Sequence, residues 1–218
     1  TMLRVMIFID GNWLSHIVPL LRERVRTQEL KINYGKLPHV LARKMGEQLG
    51  ISNVDVVRVN FFASIPVNVH PKDVPEVERQ RAFYDMLRKN FHYETEIFEI
   101  DFKGRRLHLK DRDSSDPFVP KEKCVDIALA SSMLYYGAIH AYDGAIPVIG
   151  DRDYVPVLQY VRRLGKRVMI VSVHGSCAEA YDPERDPIDS EKVRDVNTLF
   201  LDEIIWEISE PLQHPTYT

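Results

Sequence analysis

Apolar and polar residues follow one another along the chain in blocks that predict strands alternating with amphipathic helices. Continuous apolar runs, such as residues 3–9 and 145–149, are rich in Val and Ile and are typical of strands buried on both faces. Segments with apolar residues three and four positions apart predict helices. The predicted strands are residues 3–9, 54–63, 145–149 and 167–173, the predicted helices are 13–26, 34–49, 75–91, 121–142 and 152–164, and residues 198–209 add a short strand and a helix. This order predicts an α/β three-layer sandwich with a mostly parallel central sheet and helices on both faces.

The segments between these elements predict a hairpin and two loops. Residues 97–102 and 105–110 flank Lys103–Gly104, where we expect a small added β-hairpin. Three prolines in residues 64–75 predict a loop, and residues 175–197 predict a long polar loop. Both loops follow strands, so we expect them at the edge of the sheet where ligands bind. The second loop is acidic, which favours a role in gating the site or in contacting a protein partner.

Composition limits the classes of protein that the chain represents. The 218 residues are 44% hydrophobic and 28% charged, and we expect one globular domain over residues 1–218. A formal net charge of −3 excludes a protein that coats nucleic acid by bulk positive charge. Two cysteines and the absence of a long apolar run indicate a cytoplasmic protein without a membrane contact. The predicted helices have exposed faces, so a homodimer is also compatible with the sequence.

Aspartates stand at the carboxyl ends of two predicted strands. Asp10 ends the first strand beside a glycine, and Asp151 follows Gly150 after strand 145–149, with Asp153 at the start of the next helix. Parallel strands bring their carboxyl ends to one edge of a sheet, where ligands bind. Each residue alone also has a structural explanation, which is a turn for Asp10 and a helix N-cap for Asp151 or Asp153.

Asp126 is a fourth candidate, because it shares a helix face with the apolar residues Leu129, Ala130 and Met133. A carboxylate in that position needs a salt bridge or a cation to satisfy it. Converging carboxylates bind Mg²⁺ or Mn²⁺, which prefer oxygen ligands and activate water for phosphodiester hydrolysis. We therefore predict that the four aspartates form one metal site with a catalytic role.

Three segments resemble the NYN domain family, a PIN-like group that includes the bacterial LabA-type proteins. They are FIDGN, KCVDIALASSML and YDGAIPVIGDRDYVPVLQYVRRLGKRVMIVSV, and their order over residues 5–173 matches the family. The resemblance implies a PIN-like fold and a metal-dependent endoribonuclease that uses Mg²⁺ or Mn²⁺ to hydrolyse RNA, with DNA less favoured. The family's acids correspond to Asp10, Asp126, Asp151 and Asp153 in this sequence.

The chain departs from the family pattern at three positions. Trp13 stands where members often carry Asn, Ser132 replaces a further helix acid, and Ile149 replaces Ser or Thr. The supporting positions that remain near the site are Asn12, Glu122 and Ser132. The departures favour an alternative, a non-catalytic NYN-type module that binds RNA or protein. A phosphatase is a second alternative, although DGN lacks the second Asp of a DxD nucleophile motif.

Basic residues gather on the predicted hairpin and before the helix that carries Asp126. Lys103, Arg105 and Arg106 are placed to hold phosphates while a neighbouring aromatic residue stacks on a base. Lys121 and Lys123 are close in sequence to the site. The alternative for the hairpin is a solvated, charged edge strand that resists aggregation.

Overall fold

The computed structural model describes residues 2–121 and 124–211, in which seven strands form a single parallel sheet. The strands are β1 (Leu3–Asp10), β2 (Val54–Val67), β3 (Glu94–Asp101), β4 (Gly144–Val148), β5 (Arg167–Val168), β6 (Val171–Ser172) and β7 (Leu199–Phe200). Their order is β3-β2-β1-β4-β6-β7, and β5 pairs with β4 before β6 does. The predicted α/β fold with a mostly parallel sheet is confirmed.

Helices cover both faces of this sheet. They are α1 (Gly11–Arg24), α2 (Leu37–Leu49), α3 (Val74–Phe91), α4 (Val125–Ala138), α5 (Val155–Arg163), α6 (Pro187–Val193) and α7 (Ile205–Ile208). Alternate residues of β1 enter two separate apolar clusters, as the two-residue period of a strand requires. Val5, Ile7 and Ile9 pack with α1, α2 and α3, whereas Met6 and Phe8 pack with α4 and α5. In the described residues no helix is long and apolar enough to cross a membrane.

The predicted hairpin is wrong. β3 is a parallel edge strand paired with β2, and residues 105–110 form no strand. Their arginines bind carboxylates and carbonyl groups instead of continuing a strand ladder. The Arg112 side chain donates to the carbonyl oxygens of Arg106, Leu107 and Phe118, and this closes residues 102–118 into a loop.

Four other predicted elements also differ from the structure. β2 continues through Pro66 to Val67, although the prolines predict a loop there. Proline is tolerated because β1 ends opposite Phe62, so the last residues of β2 have a strand on one side only. The predicted loop 175–197 contains α6, the predicted strand 167–173 is divided into β5 and β6, and the predicted helix 121–142 is described as helix only from Val125 to Ala138.

The strand order creates a crevice at the carboxyl ends of β1 and β4. The chain builds outwards from β1 to β2 and β3 on one side, and from β4 to β6 and β7 on the other. Helices that follow β1 and β4 therefore leave in opposite directions, and open α/β sheets bind ligands at such a point. Asp10 is the last residue of β1, and Asp151 lies three residues after the end of β4.

Candidate functional site

A cleft of about 370 Å³ opens at this crevice. Its lining residues are Asp10, Asn12, Trp13, His16, Cys124, Val125, Asp126 and Asp151. They come from the end of β1, the first turns of α1 and α4, and the segment after β4. Three of the four predicted aspartates therefore line one cavity.

Asp10 is buried at the junction of β1 and α1, with 3% of its surface exposed. Its Oδ1 atom accepts a hydrogen bond of 2.9 Å from the backbone N–H of Trp13, so the residue is the N-cap of α1. Asp10 therefore has a structural role through its Oδ1 atom, because that atom caps the first turn of α1. Its Oδ2 atom lies 3.0 Å from the hydroxyl oxygen of Tyr154.

Asp126 contacts the same tyrosine hydroxyl as Asp10. The Tyr154 hydroxyl lies 2.8 Å from Asp126 Oδ1 and 3.0 Å from Asp10 Oδ2. The distance between these two carboxylate oxygens therefore cannot exceed the sum of the two hydrogen-bond distances. Burial, followed by the charge of Asp10, raises the pKa of Tyr154 well above its usual value. The phenol therefore keeps its single proton and donates to one carboxylate at a time. Asp126 itself is exposed, whereas Leu129 and Met133 on the same helix are buried.

Asp151 stands beside this pair without an ion-pair partner in the described part of the chain. Burial raises the pKa of its carboxyl group, and the negative charges of Asp126 and Asp153 raise it further. Its backbone is fixed from the following loop, because the Tyr181 hydroxyl donates to the Asp151 carbonyl oxygen at 2.5 Å. Its side chain makes no N-cap hydrogen bond, so the alternative explanation as a helix cap does not apply to Asp151. Asp151 therefore brings negative charge to the cleft that no ion pair among the described residues neutralises.

The remaining predicted residues differ in how close they come to the cleft. Asp153 is exposed on the 3-10 turn Arg152–Tyr154 and is not among the lining residues, although its charge acts on Asp151. Asn12 lines the cleft, and its amide exchanges two hydrogen bonds of 2.9 Å with Ser64. Ser132 is partly buried farther along α4 and is not a lining residue. Glu122 lies outside the described residues.

The basic residues of the predicted hairpin mostly pair with carboxylates. Arg105 Nε donates to Asp116 at 2.7 Å, and its guanidinium lies over the Phe118 ring. Arg106 Nε donates to both oxygens of Asp73 at 3.1 and 2.9 Å, and this contact is the main cause that lowers the pKa of Asp73 to about 2. The positive charge of both arginines is therefore largely neutralised. Lys103 and Lys121 are exposed, and Lys123 lies outside the described residues.

The donor atoms at the cleft fit a hard divalent cation in their chemistry. Carboxylate oxygens are the ligands that Mg²⁺ and Mn²⁺ prefer, and two of them already converge on one hydroxyl group. In residues 2–121 and 124–211 no group of three His, Cys, Asp or Glu side chains is placed to hold a metal ion together. Mg²⁺ commonly takes one or two carboxylates and fills its remaining positions with water and substrate phosphate, which agrees with a pair of this kind.

A larger cavity of about 770 Å³ lies at the opposite edge of the sheet. Residues of α2 and the first residues of β2 line it, including His39, Arg43, Glu47, Ile51 and Val54. Arg43 and Glu47 form an ion pair with each other. The smaller cleft is the better candidate, because it combines a topological switch point with converging carboxylates.

Tyr154, Tyr181 and His16 are site residues that the sequence-based prediction missed. Tyr154 follows the GDRD motif directly, so a buried aromatic residue with a polar end was visible there. Nothing in the sequence indicated that this residue contacts two aspartates from distant segments of the chain. Tyr181 lies in the acidic segment, and no pattern in the sequence marks it.

The fold and the cleft define an α/β domain with carboxylates at the switch point of a parallel sheet. The family model of the NYN domain matches residues 4–186, and the chain therefore belongs to the NYN domain family, a nuclease-like group of the PIN-like superfamily. Among solved structures the chain is similar to a protein of unknown function, VPA0982, from Vibrio parahaemolyticus. The TM-score is 0.54 at 17% identity, and the match covers 96% of this chain and 97% of that one. This likeness supports the fold alone. A search of curated proteins found no match.

Proposed function

We propose that the protein is a metal-dependent endoribonuclease whose site is formed by Asp10, Asp126, Asp151 and Asp153. The observation that carries the proposal is the convergence of Asp10 and Asp126 on the Tyr154 hydroxyl, beside the uncompensated charge of Asp151. The negative charge of Asp151 repels a phosphodiester, so a cation in the cleft would favour the binding of one. The preference for RNA over DNA comes from the resemblance to NYN domains.

Each residue has a separate part in the proposed reaction. Asp10 and Asp126 would hold the cation, and Asp151 would accept a proton from the attacking water. When bound, the divalent cation supplies positive charge that screens the phosphodiester and favours ionisation of water. Asp153 adds negative charge from the rim. Exposed His16 lines the cleft and is placed to contact the nucleic-acid backbone.

RNA cleavage in Mn²⁺, Mg²⁺ or EDTA tests this proposal. We expect the wild type to cut labelled single-stranded or structured RNA only with a metal ion, and Asp126→Asn to cut roughly 10²–10³-fold more slowly, since charge stabilisation by one group is worth about that much. Asp55→Asn is the matched control, because Asp55 is an exposed aspartate at the opposite edge of the sheet. Equal cutting by Asp126→Asn and the wild type would contradict the proposal.

A non-catalytic module that binds RNA or protein is the second candidate. The use of Asp10 as the N-cap of α1 favours it, because a residue kept for folding needs no catalytic role. In that case neither wild type nor Asp126→Asn cuts any RNA or DNA, and Asp126→Asn lowers the melting temperature because a neutral amide oxygen is a weaker acceptor than a carboxylate for the Tyr154 hydroxyl. Release of inorganic phosphate from small esters would instead indicate a phosphatase.

A further inference from the structure

Tyr154 contacts three parts of the fold, which are the segment after β4, the end of β1 and the first turn of α4. It ends the 3-10 turn after Asp151 and is 1% exposed. Its ring packs in the apolar cluster that contains Val125 and Leu129 of α4. Because the ring is enclosed, the direction of its hydroxyl is fixed, and that hydroxyl reaches the end of β1 and the first turn of α4.

The hydroxyl has two properties that suit it to hold a pair of acids. It is a neutral donor between two carboxylates, so it reduces their repulsion without adding a charge that competes with a cation. It also leaves one oxygen of Asp126 unused, because in the described residues Oδ2 of Asp126 makes no hydrogen bond. The hydrogen bond from Tyr154 to Oδ1 therefore fixes the orientation of the Asp126 carboxylate, and Oδ2 remains available to a cation.

We propose that Tyr154 is a positioning residue, whose hydroxyl holds Asp10 and Asp126 at the spacing from which both contribute to one cation site. This inference rests on the proposed function and extends it to a residue that holds no metal itself. Hydrogen bonds to metal ligands commonly account for roughly 10- to 100-fold in metal affinity. Phenylalanine at this position keeps the packed ring and removes only the donor.

Titration with Mn²⁺, followed by calorimetry or by the spin-resonance signal of the free ion, measures this role without an activity assay. We expect Tyr154→Phe to bind Mn²⁺ roughly 10- to 100-fold more weakly than the wild type. Tyr142→Phe is the matched control, since Tyr142 is a buried tyrosine on the same face of the sheet. Its hydroxyl donates to the Met133 carbonyl oxygen at 2.8 Å and touches no aspartate. We expect unchanged Mn²⁺ affinity in that variant despite a comparable loss of stability.

A third variant separates positioning from packing. 4-Aminophenylalanine at position 154 keeps an N–H donor on the same ring, and we expect it to restore most of the affinity that Tyr154→Phe loses. This variant also tests the inference if Tyr154→Phe does not fold. We expect the 4-aminophenylalanine variant to bind Mn²⁺ within a few-fold of the wild-type affinity. Loss of Mn²⁺ binding in this variant would contradict the inference.

The outcomes distinguish this inference from the proposed function. A wild type that binds no Mn²⁺ overturns the proposed metal site and, with it, the role of Tyr154. A wild type that binds Mn²⁺ while Tyr154→Phe binds it equally well or more tightly leaves the metal site standing and overturns the positioning role. Tighter binding would show that the hydroxyl competes with the cation.

Discussion

Replacement of Asp151 by Asn is expected to reduce metal-dependent RNA cleavage by roughly 10²–10³-fold and to raise the melting temperature of the metal-free protein. The loss of activity follows from removal of a charged group at the cleft. The gain in stability follows from the environment of the carboxylate, which is partly desolvated, repelled by Asp126 and Asp153, and without an ion pair among the described residues.

The pH dependence of the stability gain follows from the raised pKa of Asp151. A carboxyl group whose pKa is higher in the folded protein than in the unfolded chain favours folding at acidic pH, and it loses that contribution as the pH rises through the folded value. The difference between variant and wild type is therefore largest at pH 7 and disappears below the ordinary value of 3.8. Because the side chain is solvent-exposed, we expect less than about 1 kcal/mol, or roughly 2–4 °C at most.

Thermal unfolding in EDTA at pH 7 and pH 4, together with the cleavage assay, measures both effects. Asp55→Asn again serves as the control and is expected to leave cleavage unchanged. A lower melting temperature for Asp151→Asn at pH 7 would show that the carboxylate has a stabilising partner, and full cleavage activity would remove Asp151 from the site.

Replacement of Gly150 by Ala is expected to destabilise the fold and to impair the site at the same time. A Cβ atom at this position would overlap Trp13 Nε1 and fall within 2.5 Å of its Cε2 atom. The indole is 9% exposed and is tied to α1, so it has little room to move. Overpacking of this kind costs roughly 1–3 kcal/mol and forces a shift of the backbone that precedes Asp151.

A double-mutant cycle with Trp13→Leu tests this explanation. If the overlap with the indole is the cause, Gly150→Ala costs less in the Trp13→Leu background than in the wild type, and the two changes are not additive in the free energy of unfolding. Additive effects would place the strain elsewhere. The contact also explains why Gly precedes Asp151 in a chain that carries Trp at position 13.

The sheet was predictable because its central strands are buried on both faces. Every residue of β1 except Arg4 is buried, and all of β4 is, so both strands read as continuous apolar runs. The hairpin was mispredicted because alternating residues around Lys103–Gly104 resemble two strands. What decides the structure there is the pairing of Arg105 and Arg106 with Asp116 and Asp73, which a local pattern does not contain.

The candidate site was predictable where it depends on strand ends and not where it depends on contacts between distant segments. Asp10 and Asp151 follow apolar strands beside glycines, and parallel strands bring such residues together. The convergence of Asp10 and Asp126 needs Tyr154, which is 144 residues from Asp10 and 28 from Asp126. The double use of Asp10, as a helix cap and as a site residue, is also a property of the packed structure.

Anomalous diffraction from crystals soaked in Mn²⁺ is the most direct test of the metal site. We expect an anomalous peak in the cleft, within roughly 2.0–2.5 Å of carboxylate oxygens of Asp10 and Asp126, and we expect the same crystals of Asp126→Asn to lose it. Ordered carboxylates in the cleft with no anomalous peak between them, at a Mn²⁺ concentration that saturates any site of micromolar affinity, would contradict the account.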